Sequence, residues 1–312
     1  MNKRYFVLLM VFLMTVLSGC TTSASQKNQG LTDHDKSVTT EQWAASDNTV
    51  HSVSWLPRSD VSVKSVPSDS EILVQHKLID DVPVYEVFSK DAKLMPVMFF
   101  LHEHEGNKEQ FLDEAGLYAQ AGYFCVLFDL YGYGERARSE PVESIEAAVH
   151  ATADIDLLLE YYRLSPYVEH TKFVLYGHSM GGSAVWHYCA FGGRKPQAIV
   201  VCSAAIDFTG IDDMGSVVNG KSQPPSWEVP VYQAYCQEHN PIEHYNSFIN
   251  IPMLIYQGME DHVVLPDLTR NFETIVSGVN PNATFIFDEN GDHNATSLFL
   301  NRIIPFLRTF SR

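Results

Sequence analysis

Six short segments, residues 96–101, 124–129, 172–176, 198–202, 253–257 and 284–287, are almost continuously apolar. A strand with one solvated face alternates polar and apolar residues; these do not, so they read as strands buried on both faces. Between most of them lie stretches of helical spacing, at about residues 108–121, 142–162, 179–191 and 265–276, with a last one at about 295–310. Strands alternating with helices predict the α/β class, a mostly parallel sheet flanked by helices. Ligands of such sheets gather at the carboxyl ends of the strands, and every motif below falls there. Ahead of this region, residues 71–75 and 82–88 alternate around Asp80-Asp81, which predicts an antiparallel hairpin with one solvated face. We find no internal repeat.

The first residues read as an export address. Lys3 and Arg4 precede an apolar run at residues 5–17, too short to span a bilayer and of the length of a signal-peptide core. The run ends in Leu17-Ser18-Gly19-Cys20, which resembles the bacterial lipobox. That resemblance implies removal of residues 1–19, acyl chains on Cys20 and a lipid-anchored chain in the bacterial envelope; Thr21 after the cysteine points to the outer membrane. Residues 20–50 are polar and read as a flexible tether, leaving residues 51–312 as one domain. The chain holds 21 Lys+Arg against 38 Asp+Glu, a net charge of −17. Such a surface argues against nucleic acid and against charge-driven docking on anionic lipid, so the membrane contact expected is the lipid alone. Of Cys125, Cys189, Cys202 and Cys236, the first three lie on apolar elements and read as small buried hydrophobes. A Cys202–Cys236 disulfide stays open, and no C-x-x-C pair suggests a metal.

Gly177-His178-Ser179-Met180-Gly181 follows one predicted buried strand and opens a predicted helix. Glycines there permit a cramped turn that lifts a serine hydroxyl above the sheet, and the helix N-terminus favours developing negative charge. A serine hydroxyl needs a base and an acid that orients it. Two later loops, each after a predicted buried strand, carry candidates for these roles: Gly258-Met259-Glu260-Asp261 and then Gly291-Asp292-His293-Asn294, with Asp261 as the candidate acid and His293 as the candidate base that the resemblance given below implies. Glu260 is the adjacent alternative acid; His262, beside Asp261, is too close to be presented to Ser179. Asp288 and Asp292 read as turn residues.

Taken in order, His102-Glu103-His104-Glu105-Gly106, Asp129-Leu130-Tyr131-Gly132, the serine turn and the two later loops resemble the α/β-hydrolase superfamily, in the branch of dienelactone hydrolases and related esterases. The resemblance runs from about residue 96 to the C-terminus. It implies the α/β-hydrolase fold, a Ser179–Asp261–His293 triad, and an oxyanion hole made by the backbone N–H groups of Met180 and His104. The nucleophile there is a cysteine and here is Ser179, which favours ordinary carboxyl esters over dienelactones. His102 and His104 could instead hold a metal, but no third ligand announces itself; a structural role for the His102 ring is the simpler reading. The implied chemistry needs no cofactor and no metal.

About fifty residues separate Ser203 from Pro252, and an insertion of that length after the sixth strand reads as a cap, at about 204–251. Trp227 and Tyr232 in it either pack the cap or contact substrate. The expected activity is hydrolysis of a small-molecule or glycan-linked ester through an acyl-enzyme. A serine peptidase of the related clan and a non-catalytic binding lipoprotein on the same fold are the rival readings.

Overall fold

The computed structural model describes residues 50–52, 71–91, 93–139, 142–209, 217–218, 221–222 and 229–310, all within the unit Val38–Arg312. Cys20, the signal, nearly all of the tether and Trp227 lie outside the described residues. Val50, the last tether residue by composition, belongs instead to a short strand, β1 (Val50–Ser52), paired antiparallel with the next strand through Gln75.

The hairpin is β2 (Ile72–Ile79) and β3 (Val82–Ser89), turning at Asp80 with φ 51°, a left-handed conformation that Asp tolerates better than most residues. Only β2 shows the expected alternation of buried and exposed positions. Strand β3 pairs on its far side with β5 (Phe124–Phe128) and is buried almost throughout, because Val84 and Phe88 pack into the core on one face of the sheet and Val87 into the core on the other. Its Glu86 is fully buried and lies 3.0 Å from Lys77; burial raises the Glu86 pKa while the ion pair opposes it.

β4 (Met95–Leu101), β5, β6 (Val168–His178), β7 (Ala198–Cys202), β10 (Met253–Gly258) and β11 (Ala283–Asp288) run parallel. The sheet order is β1-β2-β3-β5-β4-β6-β7-β10-β11. Two-residue strands β8 (Val217–Val218) and β9 (Lys221–Ser222) pair separately inside the insertion.

Successive residues along β4 serve opposite faces, as strand geometry requires. Phe99 and Leu101 pack with α2 (Ser144–Tyr162), α3 (Met180–Phe191) and α5 (Pro266–Val276). Met98 and Phe100 pack with α1 (Leu112–Gln120) and α6 (Ser297–Phe310). The crossovers from β4 and from β5 therefore lie on opposite faces. This makes the carboxyl end of β4 a switch point where a crevice opens. In register, Leu101 lies beside both Phe128 and Gly177, and His178 beside Cys202, so the residues after these strands converge on one edge.

The insertion after β7 carries α4 (Val229–Glu238) and a 3-10 turn at Pro241–Ser247. Buried Asn240 ties it back, accepting from the Phe208 N–H at 2.9 Å and donating to Asp207 at 2.9 Å. All four described cysteines are free thiols. Cys202 lies in the core beneath α1 and α6, whereas Cys236 packs with Ile145, Phe208 and Tyr232, so the disulfide left open by the sequence is not formed.

Candidate active site

Strand β6 runs directly into Ser179, whose backbone is held at φ 53° and ψ −119°. A non-glycine residue pays for such a conformation, and it persists only where the surroundings dictate it. Here they do. The Ser179 N–H donates to the Cys202 carbonyl at 2.9 Å, tying the turn to β7. A Cβ on Gly181 would overlap the Leu101 carbonyl, and one on Gly177 the Gly181 carbonyl. Gly181 is therefore required for α3 to pack against the end of β4, and Gly177 for α3 to turn back so closely over the end of β6.

Asp261 follows β10 and is 1 % exposed. Its Oδ1 accepts from the N–H groups of Val263 and Val264 at 2.8 and 2.9 Å, and its Oδ2 from Gln257 Nε2 at 3.1 Å. Gln257 is held in turn by the Thr269 hydroxyl at 2.8 Å. The remaining approach to Oδ2 is taken by His293 Nδ1 at 2.9 Å. A carboxylate only accepts, so Nδ1 carries the proton and Nε2 offers a lone pair. That lone pair faces Ser179 Oγ at 2.9 Å. The loop bearing His293 is fastened to the Asp261 loop by backbone bonds from Met259 to Asp288 and from Glu260 to Gly291, each 2.8 Å.

Residues 100–274, more than half of the chain, match the family model described as "Alpha/beta hydrolase family". The chain belongs to the α/β-hydrolase family. It is similar to YitV of Bacillus subtilis (strain 168), whose name assigns it provisionally to the esterases, at 22% identity over 259 residues covering 77% of this chain and 99% of YitV. In structure it is similar to the Pyrococcus horikoshii acylaminoacyl peptidase (TM-score 0.61, 16% identity, 76% of this chain, 41% of that one). It is similar also to the esterase Est2 of Thermogutta terrifontis with butyrate bound (TM-score 0.56, 16% identity, 76% and 94%). At these identities the structural likenesses concern the fold.

Glu260 and His262 are exposed, whereas Asp261 between them is buried. Asp292 accepts from the Asn294 N–H and Asp288 from the Asn290 N–H, as turn residues do. Met180 is the first residue of α3, so its N–H has no intrahelical acceptor; His104 lies in the loop after β4, its ring 5.6 Å from that of Tyr133.

The His102 ring is a structural tie. Its Nδ1 donates to the Glu103 carbonyl at 2.8 Å and its Nε2 accepts from the Leu130 N–H at 3.0 Å, joining the loops after β4 and β5. Burial pushes its pKa down to about 4, and with both nitrogens engaged it has none to give a metal. Asp129 clamps the same loops, accepting from Lys108 N–H, Lys108 Nζ and Glu135 N–H at 2.8–2.9 Å. Tyr232 is buried in a small apolar cluster that joins the insertion to Ile145 of α2.

Gln257, Glu103 and His178 escaped the sequence reading. In the sequence Gln257 reads as the last residue of a strand and His178 as the spacer of the serine turn. Nothing local to either residue reports partners that arrive from distant segments.

Proposed function

We propose that this α/β-hydrolase is a serine esterase working through an acyl-enzyme. The observation that carries the reading is the single His293 ring, 2.9 Å from Ser179 on one side and 2.9 Å from buried Asp261 on the other. Ser179 Oγ bonds to the ester carbonyl carbon as its proton passes to His293 Nε2. Asp261 stabilises the imidazolium formed, and the N–H groups of Met180 and His104 hold the developing oxyanion. Collapse expels the alcohol, which takes the proton from His293; water then repeats the sequence and frees the acid. The chemistry needs no cofactor.

The net charge of −17 disfavours anionic substrates, so neutral short- or medium-chain carboxyl esters are the proposed class. Resemblance to YitV, and to an esterase that holds butyrate, supports that choice. The peptidase likeness covers 41% of that longer chain and supports only the shared fold. We place the enzyme on the bacterial envelope, held by lipid on Cys20.

A fluorophosphonate probe should label the full chain once, at Ser179, with the adduct mapped by mass spectrometry. Ser179→Ala should abolish both labelling and turnover of a neutral ester panel. Labelling at another residue, or near-normal turnover by Ser179→Ala, would overturn the reading.

A further inference from the structure

The His293 loop is held from a second side by His178. His178 Nε2 lies 2.8 Å from the His293 carbonyl oxygen. A carbonyl only accepts, so Nε2 carries the proton, and in the neutral ring Nδ1 is a bare lone pair. That lone pair faces the Glu103 carboxylate, with Oε2 3.1 Å away. Two acceptors at this distance repel unless a positive species lies between them. The nearest neutral donor, Gln110 Nε2, is a long 3.5 Å from Nδ1.

His293 repeats the arrangement, with Nδ1–H committed to Asp261 and the Nε2 lone pair held only by the Ser179 hydroxyl at 2.9 Å. One donor atom from each of Glu103, His178 and His293 lies within 4.8 Å of the other two. Both imidazoles thus spend their second nitrogen on a backbone carbonyl or a carboxylate. This is the outer arrangement that orients metal-bound histidines and fixes their tautomers. Two imidazoles and one carboxylate form a donor set that suits Zn²⁺.

We propose that Glu103, His178 and His293 form a Zn²⁺ site that switches the enzyme off by occupying the lone pair of the base. Tetrahedral ligands stand roughly 3.4 Å apart, so closing the trio requires one of its side chains to shift. The Glu103 side chain is 34% exposed, free to make that movement and to admit the ion from solvent. With zinc on Nε2, His293 cannot take the Ser179 proton and acylation stops. The ion is an inhibitor and takes no part in turnover. Its binding is independent of the esterase reading; its effect on rate rests on that reading.

The test adds Zn²⁺ to the full chain after chelator treatment. Calorimetry on Ser179→Ala should show one zinc per chain, and ester turnover by the unaltered enzyme should fall with zinc and return with EDTA. His178→Ala and the conservative Glu103→Gln, each compared with its own zinc-free rate, should need roughly tenfold more zinc or higher for half-inhibition. Absence of stoichiometric binding overturns the site, as does inhibition equally sensitive in both variants. Zinc that binds a chain inert towards esters leaves the site standing and sinks the esterase; full turnover untouched by zinc does the reverse.

Discussion

Asp261 is held by three donors before His293 reaches it, and this determines how substitutions there should act. In Asp261→Asn an amide replaces an oxygen among those donors, and His293 loses the acceptor that fixes its tautomer. We expect kcat to fall by about 10⁴ with KM little changed, read from initial rates on a neutral ester. Retained turnover in Asp261→Asn, with loss in Glu260→Gln, would reassign the acid. Gln257→Leu removes only one of the donors and should cost kcat a smaller factor. The three residues of the proposed triad could be picked out in the sequence because each sits in a loop with its own glycine signature at the end of a buried strand. Gln257 and His178 were not: each matters through a partner from another segment, and a single residue type in a strand or turn announces no such partner.

At the scale of elements, the tightest fit is that of α3 against the end of β4. Gly181→Ala would drive a methyl group into the Leu101 and His102 carbonyls. It should cost more than about 3 kcal/mol and remove turnover with it. Gly278→Ala meets nothing within 4 Å and should change stability by less than about 0.5 kcal/mol. Denaturant midpoints for the two variants check the contrast, and equal effects would contradict it. The same helix buries His187, which shares a 2.7 Å hydrogen bond with Thr152 of α2. Burial, with His239 and His244 nearby, pushes its pKa down to about 3. Its folded value lies below the unfolded value of about 6.5, so below that pH the unfolded chain binds a proton that the folded chain refuses. The stability His187 allows near pH 7 is therefore lost as pH falls from about 6.5 towards 3. Between pH 7 and 4.5 this one group should cost on the order of 2 to 3 kcal/mol. His187→Phe, which cannot titrate, should be less stable at pH 7 and close or reverse the gap by pH 4.5. Parallel stability curves for the two proteins would refute the assignment.

Across the whole molecule, the alternation of buried strands and helices made the fold legible, because periodicity is a local property. The strand order was less so: β3 pairs with β5, and β4 sits one place further in, an arrangement no segment encodes alone. That order carries β3 in between the two cores, which is why it lacks the solvated face its hairpin suggested. It also places β2 near the rim, where its outer edge is covered only by β1 through the pairs of Val50–Ser52 with Leu73–Gln75. An uncovered strand edge offers unpaired N–H and carbonyl groups to other chains. The polar tether should therefore be dispensable up to residue 49, whereas Val50–Ser52 should be dispensable for chemistry but not for covering the edge of β2. Cys20→Ser should leave the chain unlipidated and released from membranes, with kcat/KM unchanged. A chain beginning at Val50 should keep that kcat/KM and match the unlipidated Cys20→Ser chain in its state of association by light scattering. A chain beginning at Glu71 exposes β2 while keeping every residue of the proposed triad, so it should turn over ester per folded molecule yet associate with rising concentration. Loss of turnover in the chain beginning at Val50 would show that residues 20–49 support the site. A monomeric chain beginning at Glu71 would show that β1 does not protect the edge.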